Sequence, residues 1–323
     1  GVRLVGSEMC IRDRLKIKLH QNKLKRLETS MQNSTKKNLS TLVEDVYQTV
    51  TNITDGQEIS DELLEALAQK IKGTIKTWAT PQNHNKFRLR MSNIGRPARQ
   101  LYYSQKDSTK IKHDAATQIK FLYGHILEDL LIFLVKLSGH EVTDEQKEIQ
   151  VNGIKGHMDC KIDGEVIDIK TASSYGFKKF KNGSLRDDDP FGYISQLSGY
   201  ERAEGTSNGG FLAMNKESGE LTLYQPEELD KPNIKNLIGR IMEALVNFNT
   251  PPEKCYKPIA AGTKGNMKLP IGCVYCSHKI KCNEDTNDGE GLRMFKYARG
   301  TEYLTTVVSA PKVEEITYAK TSR

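Results

Sequence analysis

The chain has 323 residues, 37% of them hydrophobic and 28% charged, with a formal net charge of +7. That length suits one large domain or two modest ones, and the balance is ordinary for a soluble protein. The longest apolar stretch, LLIFLVKL, is broken by Lys136 and falls short of the roughly 18 residues of a membrane span, so no membrane partner is expected, while the mild basicity suits a polyanion.

The opening residues, GVRLVGSEMCIRDR, lack the apolar core and small-residue cleavage site of a secretory signal, so a cytoplasmic location is expected. They fit poorly with the Lys-rich text that follows and read as a non-native leader over 1–14, taking Cys10 with them. A helical N-terminal region is expected over 15–84. Its residues 15–39 read as frayed or loosely helical, whereas LSTLVEDVYQTV and SDELLEALAQKIKGTIKTW carry apolar residues at helical spacing. Ser60 is placed to cap the second helix, with Asp61 and Glu62 in its first turn. TPQNHNKF is a connecting loop, and LRMSNIGRPARQLYY begins a basic segment ending in paired tyrosines.

A long helix runs through ATQIKFLYGHILEDLLIFLVKLSG and stops at Gly139. From Glu141 the period changes to two, so that EVTDEQKEIQV, IKGHMDCKI and EVIDIKTA read as strands. DPFGYISQLSGYERA returns to helix with Pro190 in its first turn, GGFLAMN and ELTLYQP form a strand pair, and ELDKPNIKNLIGRIMEALVNF is a further helix. These elements form a core over 85–250, followed by a cysteine segment over 251–290 and a hairpin and polar tail over 291–323. No internal repeat is visible. The order predicts an α/β or α+β core with a helical N-terminal addition.

Asp163-Gly164 is a strong two-residue hairpin signal. With those residues as the turn, Ile162 faces Glu165, Cys160 faces Ile167, Asp159 faces Asp168 and His157 faces Lys170. One face then carries His157, Asp159, Asp168 and Lys170; the other carries Met158, Cys160, Ile167 and Ile169, a core face. Two opposed carboxylates destabilise a sheet unless a cation lies between them, and a hard divalent ion such as Mg2+ or Mn2+ prefers carboxylate oxygens. Lys170 can then stabilise charge developing at a phosphoryl group. The plainer reading is a surface hairpin with mixed charges.

This acid-then-D-x-K pattern at Asp159, Asp168 and Lys170 resembles the PD-(D/E)XK nuclease superfamily in its RecB-like exonuclease branch, with Met158 where that superfamily often has proline. Two further motifs carry the resemblance: GHILE, giving Glu128, and QLSGY, giving Gln196 and Tyr200. LYGHILEDLL and DDPFGYISQLSGY are most similar to exonucleases of tailed bacteriophages. The resemblance implies a restriction-endonuclease-like core, with a central mixed sheet flanked by helices and a cysteine-cluster segment after it. It also implies a divalent-metal-dependent DNA exonuclease of recombination, repair or replication, in which Glu128, Asp159 and Asp168 hold the metal. Lys170 then activates water or stabilises charge, and Gln196 and Tyr200 position the strand. Asp129 is the rival to Glu128, and His125, one turn away, is a further possible ligand. An endonuclease or junction resolvase of the same superfamily, and a non-cleaving DNA-binding module, are the alternatives. No Walker-type phosphate loop occurs, so a helicase would be a separate chain, as would a single-strand annealing or binding protein.

CVYCSHKIKC places Cys273, Cys276 and Cys282 in a C-x2-C-x5-C pattern, a strong metal signal. The same resemblance implies a [4Fe–4S] cluster closed by an earlier cysteine, but the comparable stretch, RPARQLYY, has none. Cys255 is then the best fourth ligand, since Cys160 points to the core in the hairpin register. Zinc is the alternative, with His278 able to replace one thiolate. Basic residues recur in KFRLRMSNIGRPARQ and in SSYGFKKFKNGSLR. The second run, with Lys178, Lys179, Lys181 and Arg186 interleaved with Tyr175, Phe177 and Phe180, reads as a surface for phosphates and unstacked bases.

Overall fold

The computed structural model describes residues 37–80, 87–106, 114–247, 249–298 and 300–317. The leader over 1–14 with Cys10, the Lys-rich stretch to residue 36, loop residues 81–86 and the last six residues of the tail lie outside them. No helix among the described residues is long and apolar enough to cross a membrane.

Two helices open the fold, α1 (Leu42–Thr54) and α2 (Asp61–Ala79). Ser60 caps α2 as its sequence position predicts, its hydroxyl accepting the Leu63 N–H at 3.3 Å. The basic segment forms α3 (Ala98–Lys106), and the long helix is α4 (Ala115–Leu137). Asp114 caps α4 by accepting the Thr117 N–H at 2.7 Å. Past its end Gly139 takes a φ of 84°, which ends the helix where the sequence places the stop.

The next stretch departs from expectation. Of the three strands read from the period-two pattern, the first two are each broken in the middle. The first gives β1 (Val142–Thr143) and β2 (Glu148–Val151); the second gives β3 (Ile154–His157) and β4 (Cys160–Ile162). Asp144 and Gln146 sit at φ 53° and 54°, a left-handed kink that no ladder tolerates. The two breaks face each other: Met158 N–H donates to Lys147 O at 3.1 Å and Gln146 N–H to Asp159 O at 2.9 Å. β2 and β3 consequently make their own two-stranded ribbon, while β1 and β4 join the main sheet. β5 (Glu165–Ala172) follows the Asp163-Gly164 turn, whose φ values of 51° and 92° are those of the expected hairpin. The register Ile162 to Glu165 and Cys160 to Ile167 is as predicted, but it ends there. His157 pairs with Glu148, not Lys170.

The chain continues as α5 (Ser174–Lys181), α6 (Tyr193–Glu204), β6 (Gly210–Asn215), β7 (Leu221–Tyr224) and α7 (Ile234–Asn247). Main-sheet order is β1-β4-β5-β6-β7, with β5 and β6 parallel and the other neighbours antiparallel. A parallel pair needs a crossover, and α5 and α6 supply it. Cys160, Ile167, Ile169 and Leu212 pack on one side with Leu42 and Val46 of α1 and Leu131 and Val135 of α4. Val166, Phe211 and Ala213 pack on the other with Phe177 and Phe180 of α5, Leu197 and Tyr200 of α6 and Ile238 of α7. The protein is therefore a mixed α/β fold with its central sheet covered on both faces. Met158 lies in this second core, opposite to its predicted face, because the chain has left the ladder before reaching it.

The C-terminal part adds β8 (Ile259–Ala260), β9 (Met267–Lys268), the single turns α8 (Ile271–Val274) and α9 (Lys279–Cys282), β10 (Arg293–Tyr297), β11 (Gly300–Thr306) and β12 (Glu315–Ile316). Its strands form a second sheet in the order β12-β10-β11-β9-β8.

α6 begins at Tyr193, so Pro190 lies in the loop before it and not in its first turn. The loop is held by Asp189, whose carboxylate accepts the Ile194 N–H at 2.9 Å, and by Gly192 at φ 75°. A Cβ on Gly192 would run into the backbone of Gly95, whereas one on Gly205, at φ 70°, would meet open space. Gly192→Ala should therefore cost more than the backbone strain alone, about 2 kcal/mol or above, against about 1 kcal/mol for Gly205→Ala. Thermal denaturation of the two variants checks this; equal losses would contradict the close approach.

Candidate active site

Asp168 sits in the middle of β5 and is 1% exposed. Lys170, two residues on, projects to the same side and is ion-paired with it. Neither Asp168 oxygen has a hydrogen bond of ordinary geometry among the described residues, which makes the Lys170 ammonium the charge set against a carboxylate otherwise stripped of water. The Lys170 Nζ also lies 5.1 Å from the centre of the Tyr193 ring. Asp159 occupies the strand break, where its Oδ2 accepts the Ile169 N–H at 2.7 Å. It thus meets Asp168 by folding a carboxylate back onto β5, not by standing opposite it in a continuous ladder.

Glu128 reaches the same place from α4. Its Oε1 accepts from Gln146 Nε2 at 2.9 Å, and the Gln146 amide also bonds the Asp159 carboxylate. Burial, then the charge of Asp159, pushes the Glu128 carboxyl up to about 8. Burial, then the charge of Asp168, pushes Asp159 up to about 7. Lys170 is desolvated, which works against its charge, but Asp168 and Asp159 more than offset this and hold it cationic. Three acids thus crowd one lysine, and two of them retain protons near neutrality.

The rival acid is accounted for elsewhere: Asp129 accepts from Thr74 Oγ1 at 2.6 Å, facing α2. His125 is largely exposed and its Nδ1 stands 4.0 Å from Glu128. Tyr200, buried, donates to the His157 carbonyl at 2.7 Å and accepts from Gln196 Nε2 at 2.7 Å. It thereby pins the chain just before Asp159. Gln196 and Tyr200 line a cleft with Arg88, Arg90, Lys155 and His157, so the basic groove nearest these residues is built by the earlier basic run and β3.

The second basic run needs correction. Phe177 and Phe180 are 2% and 4% exposed and belong to the core, out of reach of any base. Lys179 is paired with Asp188 at 2.6 Å, Lys181 with Glu220, and Arg186 lies 3.8 Å from Asp187. Lys178 is exposed on α5. The helical period, with aromatics three apart, explains the error: it turns both phenylalanines inward while the lysines stay outside. Tyr175 is the aromatic of this run that remains exposed.

Cys255, Cys273, Cys276 and Cys282 line one cavity together with Arg99, Gln100, Tyr103 and His278. Arg99 Nε donates to Cys282 Sγ at 3.0 Å, so the segment that lacks a cysteine supplies an arginine to the same place. Burial raises the Cys255 and Cys276 thiols and takes Cys273 up to about 12. His278 Nε2 is engaged with Ser104 Oγ at 2.9 Å. Among the described residues, no three His, Cys, Asp or Glu side chains are already gathered at metal-holding spacing, at either the acidic or the cysteine site. The acidic site nonetheless fits a hard cation by chemistry: its acidic side chains offer carboxylate oxygens, those of Asp168 are buried with Lys170 as their charge partner among the described residues, and burial, then mutual repulsion, pushes the Glu128 and Asp159 carboxyls up. The cysteine cavity fits a thiophilic centre by donor type.

Gln146 was not singled out as a site residue, because it lies among polar residues inside a segment whose ends, Val142 and Ile149 to Val151, read as strand. The hint is the crowd of polar residues in TDEQK, within a supposed strand.

No family model matches the chain, and no curated protein matches it. Solved structures similar to it include SSO0001, at TM-score 0.39 and 18% identity over 67% of this chain and 94% of that one. An alkaline exonuclease from Laribacter hongkongensis matches at TM-score 0.34 and 17% identity, over 46% and 77% of the two chains. A phage-related exonuclease from Haemophilus somnus matches at TM-score 0.34 and 14% identity, over 50% and 92%. At these scores they are likenesses of outline, and the reading of the site rests on its own residues.

The raised carboxyls have a consequence for stability. In the metal-free fold Glu128 and Asp159 keep their protons to about 8 and 7, against 4.5 and 3.8 ordinarily. Folding takes up protons between these limits, so their contribution is full below the ordinary values and is lost as pH rises through the folded ones. Between pH 6 and 8.5 the carboxylates with lowered values, such as Asp45, Glu145 and Glu204, are ionised folded or unfolded and add no slope. The melting temperature in chelator should fall across that window, and Ca2+ should restore more of it at pH 8.5 than at pH 6. A flat profile would contradict the crowding of acids.

Proposed function

We propose that the protein is a divalent-metal-dependent nuclease that hydrolyses phosphodiester bonds in DNA, of exonuclease type, acting in recombination, repair or replication, in the setting of a phage. The observation that carries this reading is the convergence of Glu128, Asp159, Asp168 and Lys170 at one place, where the buried Asp168 carboxylate faces the Lys170 ammonium and burial pushes the Glu128 and Asp159 carboxyls up.

Asp159 and Asp168 would hold Mg2+ or Mn2+, with Glu128 as a further ligand. Such an ion supplies Lewis-acid polarisation of a phosphoryl group and acidification of water. The residues of the chain supply the rest. Lys170, kept cationic by Asp168 and Asp159, sets a positive charge where negative charge grows on the phosphoryl oxygens. Tyr200 is a positioning residue: its bond to the His157 carbonyl fixes the strand break from which Asp159 projects. Gln196 orients the Tyr200 hydroxyl, and with Arg88, Arg90 and Lys155 it borders the cleft that would receive the phosphate backbone. The four-cysteine cavity would hold a [4Fe–4S] cluster, or zinc as the alternative, and tie the C-terminal segment to α3.

The test is cleavage of end-labelled linear DNA beside covalently closed circles, with Mg2+. Linear DNA should be degraded and circles spared. Rapid nicking or linearisation of plasmid would favour an endonuclease. Tight DNA binding with no cleavage of either form would leave only a binding module.

A further inference from the structure

Lys170 also borders a cleft of about 440 Å3, lined by none of Glu128, Asp159 and Asp168, within the roughly 300–1,000 Å3 usual for ligand sites. Its walls come from two separate parts of the chain. α5, the loop before α6 and the first residue of α6 contribute Tyr175, Phe191 and Tyr193, and the cysteine segment contributes Ile271 and Tyr275. Three of these rings are unusually open to water: Tyr175 is 66% exposed, Phe191 39% and Tyr275 69%. They are also arranged. Phe191 stacks on Tyr193 with centroids 5.5 Å apart and planes at 29°, and Tyr275 stands 6.5 Å from Phe191 at 51°. The cations lie over rings, Lys170 Nζ on Tyr193 at 5.1 Å and Lys179 Nζ on Tyr175 at 5.6 Å.

Open aromatic faces beside cations are what unpaired bases and their phosphates use, and the stacking is tolerant of sequence because every base has a π-face. A paired base has its faces already occupied by its neighbours in the duplex. We propose that this cleft is a subsite for an unpaired nucleobase of the DNA strand whose phosphate lies at Lys170, with Tyr275 as the stacking ring. The inference rests on the nuclease reading and narrows its substrate to a single strand or a frayed end. It also gives the cysteine segment a part in binding: Tyr275 lies between Cys273 and Cys276, so the turn that those cysteines bracket carries one wall of the cleft.

The test uses the full chain, single-stranded oligonucleotides with one 2-aminopurine at successive positions, and Ca2+ in place of Mg2+ to limit cutting. Binding should quench 2-aminopurine at one position near the end. Tyr275→Ala should abolish the quench and weaken binding tenfold or more. Tyr275→Phe should keep both, and Phe191→Ala should lower both without altering the melting temperature. Duplexes with blunt, clamped ends should show no quench. If Tyr275→Ala and Phe191→Ala leave quench and affinity unchanged, or if wild type shows no quench at any position, the subsite is overturned. In either case the nuclease reading still stands or falls on cleavage with Mg2+. Quenching that depends on Tyr275 in a chain that cuts nothing would sustain the subsite and sink the nuclease reading.

Discussion

Asp168→Ala is expected to abolish Mg2+-dependent DNA cleavage, by about a thousandfold or more, while the chain still folds. The activity loss follows from its place: Asp168 is the most deeply buried carboxylate of the cluster and faces the Lys170 ammonium directly. Folding should survive because the deletion relieves like-charge crowding. Lys170 keeps Asp159 as a counter-charge, and Asp159, no longer pushed up by its neighbour, should ionise closer to its ordinary range. The slope of stability between pH 6 and 8.5 should therefore become shallower in the variant. DNA binding should persist, since Arg88, Arg90 and Lys155 border a different cleft. Near-normal Mg2+-dependent cleavage by Asp168→Ala would leave the cluster a structural ion pair and nothing more.

Lys170→Met should fail in a different way. Removing the ammonium takes away a repulsive charge, so divalent binding should be retained or strengthened, while turnover falls by about a hundred- to a thousandfold. Without the counter-charge the acids repel one another more strongly, so the metal-free variant should melt lower than wild type and recover more on adding Ca2+. Calorimetric titration with Ca2+ beside single-turnover cleavage separates the two effects. Equal loss of binding and turnover would make Lys170 a counter-ion for the fold and not a participant in the reaction.

Much of this site was legible from residues alone, for identifiable reasons. Asp163-Gly164 specified a turn that only one register fits, and that register carried the correct pairing from Glu165 as far as Cys160. Glu128 stood out because an acid on a helix apolar nearly all round must have a partner. Its neighbour Asp129 could not be set aside by sequence, since the Thr74 hydroxyl that engages it is 55 residues away. The strand breaks were invisible for the opposite reason. Alternation of polar and apolar residues continues through Asp159, so nothing local marks the second break, and at the first the polar run from Thr143 to Glu148 reads equally as an exposed strand stretch or a kink. Those breaks place His157 against Glu148, Met158 in the other core, and Gln146 between two acids. Phe177 and Phe180 were misplaced because composition shows that aromatics and lysines alternate, but only the helical period shows which of them face inward. The aromatic cleft beside Lys170 joins α5 to a segment about a hundred residues later, and no spacing in the chain announces that meeting.

The most direct measurement is anomalous diffraction from crystals soaked in Mn2+, on wild type and on Asp168→Ala. A manganese peak beside the carboxylates of Asp159 and Asp168 in the wild type, absent in the variant, is the predicted result. No peak at these acids under conditions where the crystals or the solution protein cleave DNA would contradict it.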